Sequence, residues 1–158
     1  MGPGRTGAGE QEASEVVREM ARRFAAGDRD GATALFHARV RVQQPASLPH
    51  GGWHHGRDGM EAMGRRFARH WARTIGEPRF VPGGDHDADG ADDAGDTVVQ
   101  VTRQAWTALA TGRTATVDVA ELITVAGGRV TEIRVFPQDT HLLLATLEDD
   151  AGPGGGPP

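Results

Sequence analysis

The sequence predicts an α+β domain: helices in the first half, then a meander of long antiparallel strands with the helices on one sheet face. Three observations predict it. Apolar residues up to Trp71 recur at helical spacing, as in Val16, Val17, Met20 and Phe24. After Arg79 the period changes to two, over runs too long and too β-branched for anything but strands. The order is segregated, helices before strands, and not the alternating order of a parallel α/β sheet.

The first helix is expected to open at the cap residue Ser14 and to stop at Gly27. Asp30 opens a shorter helix through Ala34, Leu35 and Phe36, and Val40-Arg41-Val42 reads as a strand. A third helix is expected from Asp58, with Glu61 completing a capping pair and Met60, Met63, Phe67 and Trp71 as its buried stripe. Arg79-Phe80-Val81 is a short strand. Thr97–Ala110 and Thr114–Val125 are long strands joined at Thr111-Gly112-Arg113, and Gly127-Gly128 turns into a last strand, Val130–Phe136. Residues 1–12 and 148–158, rich in Gly and Pro with little to bury, read as disordered tails around one domain at 13–147.

Composition narrows the chemistry. The chain has no Cys, which removes disulfides, thiolate nucleophiles and sulfur-ligated metals. It also has no Lys, Asn or Tyr, so all 17 basic residues are Arg, a pattern of GC-rich bacterial coding. Schiff-base lysine, tyrosine acids and asparagine oxyanion donors are thereby excluded. The net charge is −5 with scattered arginines, so no nucleic-acid footprint is present. No apolar run approaches the ~18 residues of a membrane helix and no signal peptide opens the chain, so a cytoplasmic protein is expected.

The segment Gln44–Gly56 concentrates His50, His54, His55, Trp53, two prolines and three glycines between a strand and a helix. Irregular connections of this kind carry function more often than regular elements do, and this one reads as the mouth of a small-molecule cavity. The loop has no carboxylate and no helical i, i+4 histidine spacing, so no metal and no cofactor is expected. One inward imidazole, from His50 or His54, would serve as acid or hydrogen-bond donor. Trp53 offers an indole face to a planar substrate or plugs the cavity.

Several motifs, in this order, resemble the SnoaL-like, or nuclear-transport-factor-2-like, superfamily. Phe24-Ala25-Ala26-Gly27-Asp28 followed by Ala34-Leu35-Phe36 looks like its opening helices. Ser47 to Gly56 resembles its Pro/Gly-rich loop, Glu121 to Ile133 its final hairpin, and Phe136-Pro137-Gln138-Asp139-Thr140 its closing segment. The resemblance implies a conical half-barrel, a curved sheet wrapped around three N-terminal helices with an apolar cavity between. It spans polyketide cyclases, ketosteroid isomerases, limonene-epoxide hydrolases and non-catalytic binding proteins, so fold alone does not decide function.

Residue by residue, two enzymatic types fail. A ketosteroid isomerase needs a base just before the proline of the first strand, where this chain has Gln44, and a Tyr, of which it has none. A limonene-epoxide hydrolase needs carboxylates where this chain places Ala105 and Val135. The polyketide-cyclase type survives: Asp139 resembles its strand-end carboxylate, although Asp before Thr is also an ordinary helix cap.

Glu121 is the other carboxylate of interest. Alternation places it on one face with Val117, Val119, Ile123 and Val125, either buried with a partner or lining a pocket. Arg103, with Val99 and Val101, is expected to share that face and to pair with it. Gln100, Gln104, Trp106 and Ala108 would then lie on the outer face, and an exposed Trp106 predicts a homodimer. Asp85 to Asp96 has acids at alternate positions and Gly90 at position six, as in a calcium loop. Asp96 at position twelve, Asp92 at position eight and flanking strands favour instead a solvated acidic hairpin loop over 83–96.

The expected function is proton abstraction at an activated carbon of a polyketide-like or other apolar metabolite, in a cyclase, isomerase or lyase. Asp139 would be the base and His54 or His50 the acid, with Trp53, Arg103, Glu121, Trp71 and Phe136 as substrate contacts. The alternative is a binding or accessory protein that uses the same cavity without chemistry.

Overall fold

A computed structural model describes residues 4–82 and 95–149. Helices α1 (Gly4–Ala25) and α2 (Arg29–Thr33) precede strand β1 (Phe36–Gln44). There follow β2 (Gly52–His55), α3 (Gly56–Ala68), β3 (Trp71–Ile75), β4 (Arg79–Pro82), β5 (Asp96–Ala108), β6 (Thr114–Ala126), β7 (Arg129–Pro137) and α4 (Thr140–Ala145). The strands form one curled sheet in the order β2-β1-β7-β6-β5-β3, with β4 also on β5. β1 runs parallel to β7 and every other pairing is antiparallel. The helices cover the concave side, which makes the expected α+β half-barrel.

Helix α1 begins at Gly4, not at Ser14, which lies in its interior. The expected tail is therefore helical from residue 4 to 12. Glu10, Gln11, Glu12 and Ala13 are good helix formers. The extension also lies close to the start of β5: a Cβ on Gly9 would sit 2.5 Å from an Asp96 carboxylate oxygen. At the other end Gly27, at φ +76°, closes a Schellman cap. Its N–H bonds to Phe24 O at 3.0 Å and the Asp28 N–H to Arg23 O at 2.9 Å. Asp28, not Asp30, caps α2, accepting from Gly31 N at 2.9 Å. Phe36 has already left the helix and opens β1.

Four residues of the histidine-rich loop form a strand. Gly52–His55 pairs with β1, Val42 opposite His54 and Gln43 opposite Trp53. The turn between is tight: Leu48 N bonds to Pro45 O and Gly51 N to Leu48 O, at 3.1 and 2.8 Å. Any Cβ at Gly51 would lie 2.4 Å from Pro45 O, so only glycine closes this turn. Helix α3 starts at Gly56 with no side-chain cap, and Met60, Met63 and Phe67 are only half-buried. Trp71 belongs to β3, where it faces inward opposite Ala108. The helical spacing from Met60 put Trp71 on the correct side of the wall for the wrong reason.

Two apolar clusters fill the concave side. One joins Ala13, Val17 and Met20 of α1 to Phe36, Val40, Val98, Ile123 and Val130. The other surrounds Trp71 and Trp106 with Leu48, Ala108, Val117, Val119 and Leu143. Twelve of the acidic-loop residues, 83–94, lie outside the described residues, and so do 150–158 of the expected C-terminal tail. No helix among the described residues is long and apolar enough to cross a membrane.

Candidate functional site

Polar side chains on the concave face stand in and beside the gap between the two clusters. β5 contributes Gln100, Thr102 and Gln104, all buried. Gln104 donates from Nε2 to Thr102 Oγ1 and accepts at Oε1 from the Trp106 indole, both at 2.8 Å, so this ladder is internally satisfied. Opposite Gln100 in the register stands Glu121 of β6. The Gln100 amide donates to its carboxylate, which leaves Gln100 Oε1 buried and without a partner. Burial raises the pKa of Glu121, against the lowering influence of the Arg73 charge and then of the Gln100 hydrogen bond.

Arg73 enters from β3, on the inward register opposite Trp106. Its guanidinium stacks over the Phe67 ring, 4.8 Å from the centroid. Burial pushes its pKa below the ordinary value, Glu121 draws it back up, and the like charge of Arg29 pushes it down again. The side chain is nevertheless open to water. The concave side of the curled sheet, called the cup below, thus holds this group among protein while the guanidinium stays exposed.

His50 is the most enclosed titratable group of the loop, 3% exposed. Its ring packs on Phe67, Trp71 and Trp106 at centroid distances of 5.3, 5.9 and 5.8 Å. Burial first, then the charges of Arg73, His54 and His70, push its pKa down to about 4, so it is neutral at physiological pH. Its Nδ1 has no partner. His54 is buried behind it, with Nε2 2.8 Å from His50 O, a bond that holds the turn in shape.

The other expected site residues lie elsewhere. Asp139 is exposed and caps α4, accepting from Leu142 N at 2.9 Å; it does not enter the cup. Arg103 lies on the convex face beside Asp118, at 3.5 Å, so the expected pair with Glu121 does not form. Trp53 and Phe136 are also convex, each under an arginine: Arg41 at 4.8 Å and Arg134 at 5.4 Å. Trp71 lines the inner cluster and donates its indole N–H to Thr146 Oγ1 at 2.8 Å. Gln100, Gln104, Trp106 and Ala108, expected outside, are all inside. Sequence reasoning missed Arg73 altogether. The Thr74-Ile75 pair after the helix end was the available sign that β3 existed and alternated.

Among the described residues no three His, Asp or Glu side chains gather as a metal set. A shallow cleft at the β6–β7 turn, lined by Glu12, Asp96 and glycines, holds no imidazole or guanidinium. The cup thus offers one enclosed carboxylate, one guanidinium, one neutral imidazole and apolar walls, which suits proton transfer on an apolar molecule.

Residues 17–133 match the SnoaL-like domain family. This chain belongs to that family. Solved structures resembling this SnoaL-like chain include an NTF2-like protein of Burkholderia xenovorans, 24% identical, covering 87% of this chain and 97% of that one with a TM-score of 0.70. TerC, co-crystallised with polyporic acid, is 22% identical over 87% of this chain and 99% of its own, with a TM-score of 0.63. A candidate polyketide cyclase of Pseudomonas putida is 14% identical over 86% of this chain and 98% of its own, with a TM-score of 0.66. At these identities the likeness is one of fold. No curated protein matches the chain.

Proposed function

We propose that this protein is a cofactor-independent acid–base enzyme acting at an activated carbon of a small apolar or polyketide-like molecule, in a cyclase, isomerase or lyase reaction. The observation that carries the reading is the place of Glu121. Of the carboxylates on the described strands, Asp118 and Glu132 face outward and Asp96 sits at the α1 end, while Glu121 stands mid-wall in the cup. Burial raises its pKa, the direction in which a general base is tuned. The role expected of Asp139 therefore passes to Glu121.

In this reading a Glu121 oxygen takes the proton from carbon, and the electron pair moves into the adjoining carbonyl to give an enolate. The Arg73 guanidinium stabilises the oxygen that becomes negative. His50, neutral, contributes a hydrogen bond through Nδ1 and no charge. Return of the proton to another carbon gives an isomerase, and attack of the enolate carbon on a second carbonyl gives a cyclase.

The test is proton exchange into D2O from aromatic 1,3-dicarbonyl compounds, followed by NMR. Glu121→Gln lowers the exchange rate at least ~100-fold, the usual worth of a positioned base, whereas Asp139→Asn leaves it within twofold. Equal exchange by wild type and Glu121→Gln rules out the base. The second reading, a cavity that binds without chemistry, is favoured by the exposed cap role of Asp139, the residue that best resembled a cyclase carboxylate.

We propose that the protein works in the bacterial cytoplasm as a homodimer through the convex face. Trp53 and Phe136 there are 40% and 44% exposed, an apolar surface between Arg41 and Arg134. A sedimentation mass of one chain at micromolar concentration contradicts the dimer.

A further inference from the structure

Along the inner face of β5, Trp106, Gln104, Thr102 and Gln100 stand at alternate positions, all buried. Beyond them comes Glu121, opposite Gln100 on β6. Each end of this row fixes a direction. An indole N–H can only donate, so the Gln104 atom that meets Trp106 at 2.8 Å is Oε1. Its Nε2 is thereby turned to Thr102, whose Oγ1 accepts, also at 2.8 Å. At the other end an ionised carboxylate can only accept. Gln100 gives its amide N–H to Glu121, which leaves Oε1 facing away from the carboxylate.

The two halves meet between Thr102 and Gln100. The Thr102 hydroxyl, taken as an acceptor by Gln104, still has its own proton to donate, and no acceptor takes it among the described residues. Gln100 Oε1 is a buried acceptor with no donor. A dry donor and a dry acceptor left apart cost stability that joining them recovers. The span between them is the same Gln-to-Thr step of two residues that Gln104 closes from the other side. A small turn of the Gln100 side chain, or one bridging water, completes the row.

Taking Glu121 to be the base proposed above, we infer that the inner row of β5 is a one-way hydrogen-bond chain, running from the Trp106 indole to the Glu121 carboxylate, that holds this carboxylate ionised. Each donor in such a chain polarises the next. A proton on Glu121 would find an acceptor in the row only if Gln100 turned Oε1 to it. Nε2 would then face Thr102, and the Thr102 proton would lose its acceptor. Relief needs every link to reverse, which the donor-only indole forbids. The row therefore opposes burial, on the same side as Arg73 of β3, the charge that acts on Glu121 among the described residues. Val135, its partner on β7, brings no charge. Thr102 and Gln100 are positioning residues here: they touch the base, or reach it through one another, and keep it ready to accept a proton.

The test is a pH titration of the Glu121 carboxyl carbon by NMR in the full chain labelled at glutamate, its signal assigned as the one missing from Glu121→Gln. Thr102→Val, which keeps the shape and removes the donor, should move the midpoint up by at least about one pH unit, the worth of one hydrogen bond to a charged group. Thr102→Ser, which keeps the hydroxyl, should restore the wild-type midpoint. Trp106→Phe should also move it up, because the row is then free to reverse. Trp71→Phe should not, since that indole donates to Thr146 outside the row. A midpoint that Thr102→Val leaves unchanged or lowers overturns the inference, as does equal behaviour of Trp106→Phe and Trp71→Phe. The two breaks lie at different links, so either variant reads the chain if the other fails to fold. The midpoint does not depend on turnover. If it moves as expected while Glu121→Gln keeps full proton exchange, the catalytic reading fails alone. If it stays while Glu121→Gln abolishes exchange, this inference fails alone.

Discussion

The two faces of the curled sheet carry nearly the same residue types and put them to opposite uses. On the convex face Arg41 lies over Trp53 and bonds to Glu132, Arg134 lies over Phe136, and Arg103 sits beside Asp118. On the concave face Arg73 lies over Phe67, with Trp71, Trp106 and Glu121 around it. Outside, Arg41 and Arg103 meet carboxylates and stand in water. Inside, the same groups are desolvated, and burial drives the shifts of Glu121, Arg73 and His50. Residue type therefore says little here; enclosure converts an arginine, a carboxylate and an aromatic ring from a surface patch into a site.

Tryptophan substitution breaks the comparison most sharply. Trp106 is 2% exposed and touches Trp71, Phe67 and His50, whereas Trp53 is 40% exposed under Arg41. Trp106→Ala leaves a cavity and is expected to cost about 3–5 kcal/mol of stability. Trp53→Ala is expected to cost under ~1 kcal/mol in the monomer. Urea denaturation of the two variants reads the difference directly. A Trp106→Ala loss as small as that of Trp53→Ala would mean the aromatic cluster is not packed as described.

How far this contrast was legible in the sequence depends on the strand. In β6 the alternation of Val117, Val119, Glu121, Ile123 and Val125 was clean and gave the inward face correctly. In β5 the same rule gave the wrong face. Val99, Val101 and Ala105 look like a core stripe, yet the inward set is Val98, Gln100, Thr102, Gln104, Trp106 and Ala108. A cavity wall needs polar atoms, so a functional face breaks the apolar-in rule that locates an ordinary core. The register with β6, Gln100 opposite Glu121, decides it, and register is a tertiary fact. Asp139 failed for another reason: one Asp-Thr pair serves equally as a strand-end base and as a helix cap, and only its exposure separates the two. Glycine signals were the most dependable, because Gly27 and Gly51 satisfy local backbone demands that no distant contact can alter.

A pH titration of stability sharpens the contrast next. The pKa of His50 falls from 6.5 unfolded to about 4 folded, so between those values the unfolded chain binds the extra proton. Stability is therefore full above pH 6.5 and lost as pH falls through 4, by roughly 3 kcal/mol at one pKa unit per 1.36 kcal/mol. His50→Phe should remove that slope, while exposed His55 of the convex side, changed to Gln, should keep it. Glu121 has the opposite sign. Its folded pKa is raised, so the folded state holds the extra proton and stability declines as pH rises from the ordinary carboxylate value through the folded one. Glu121→Gln should flatten this decline and be the more stable protein above neutrality. A variant that loses stability there, relative to wild type, would show that Glu121 is a structural anion and not an enclosed base.

The smallest effect belongs to the convex ion pairs, and its smallness is the point. Arg41 and Glu132 meet at 2.7 Å, yet the arginine side chain is 52% exposed, so water screens the attraction and ordering both chains offsets part of the gain. A double-mutant cycle with Arg41→Gln and Glu132→Gln should give a coupling of about 0.2–1 kcal/mol, and the longer Arg103–Asp118 contact of 3.5 Å no more. Raising salt should erase most of it. The convex face becomes a different object if it is covered. In a dimer the Arg41–Glu132 pair would be drier, and its coupling measured above the dissociation concentration should exceed that measured below it. A coupling that is concentration-independent and still under ~1 kcal/mol would leave the convex face as plain solvated surface, and the concave face as the side on which burial acts on an arginine.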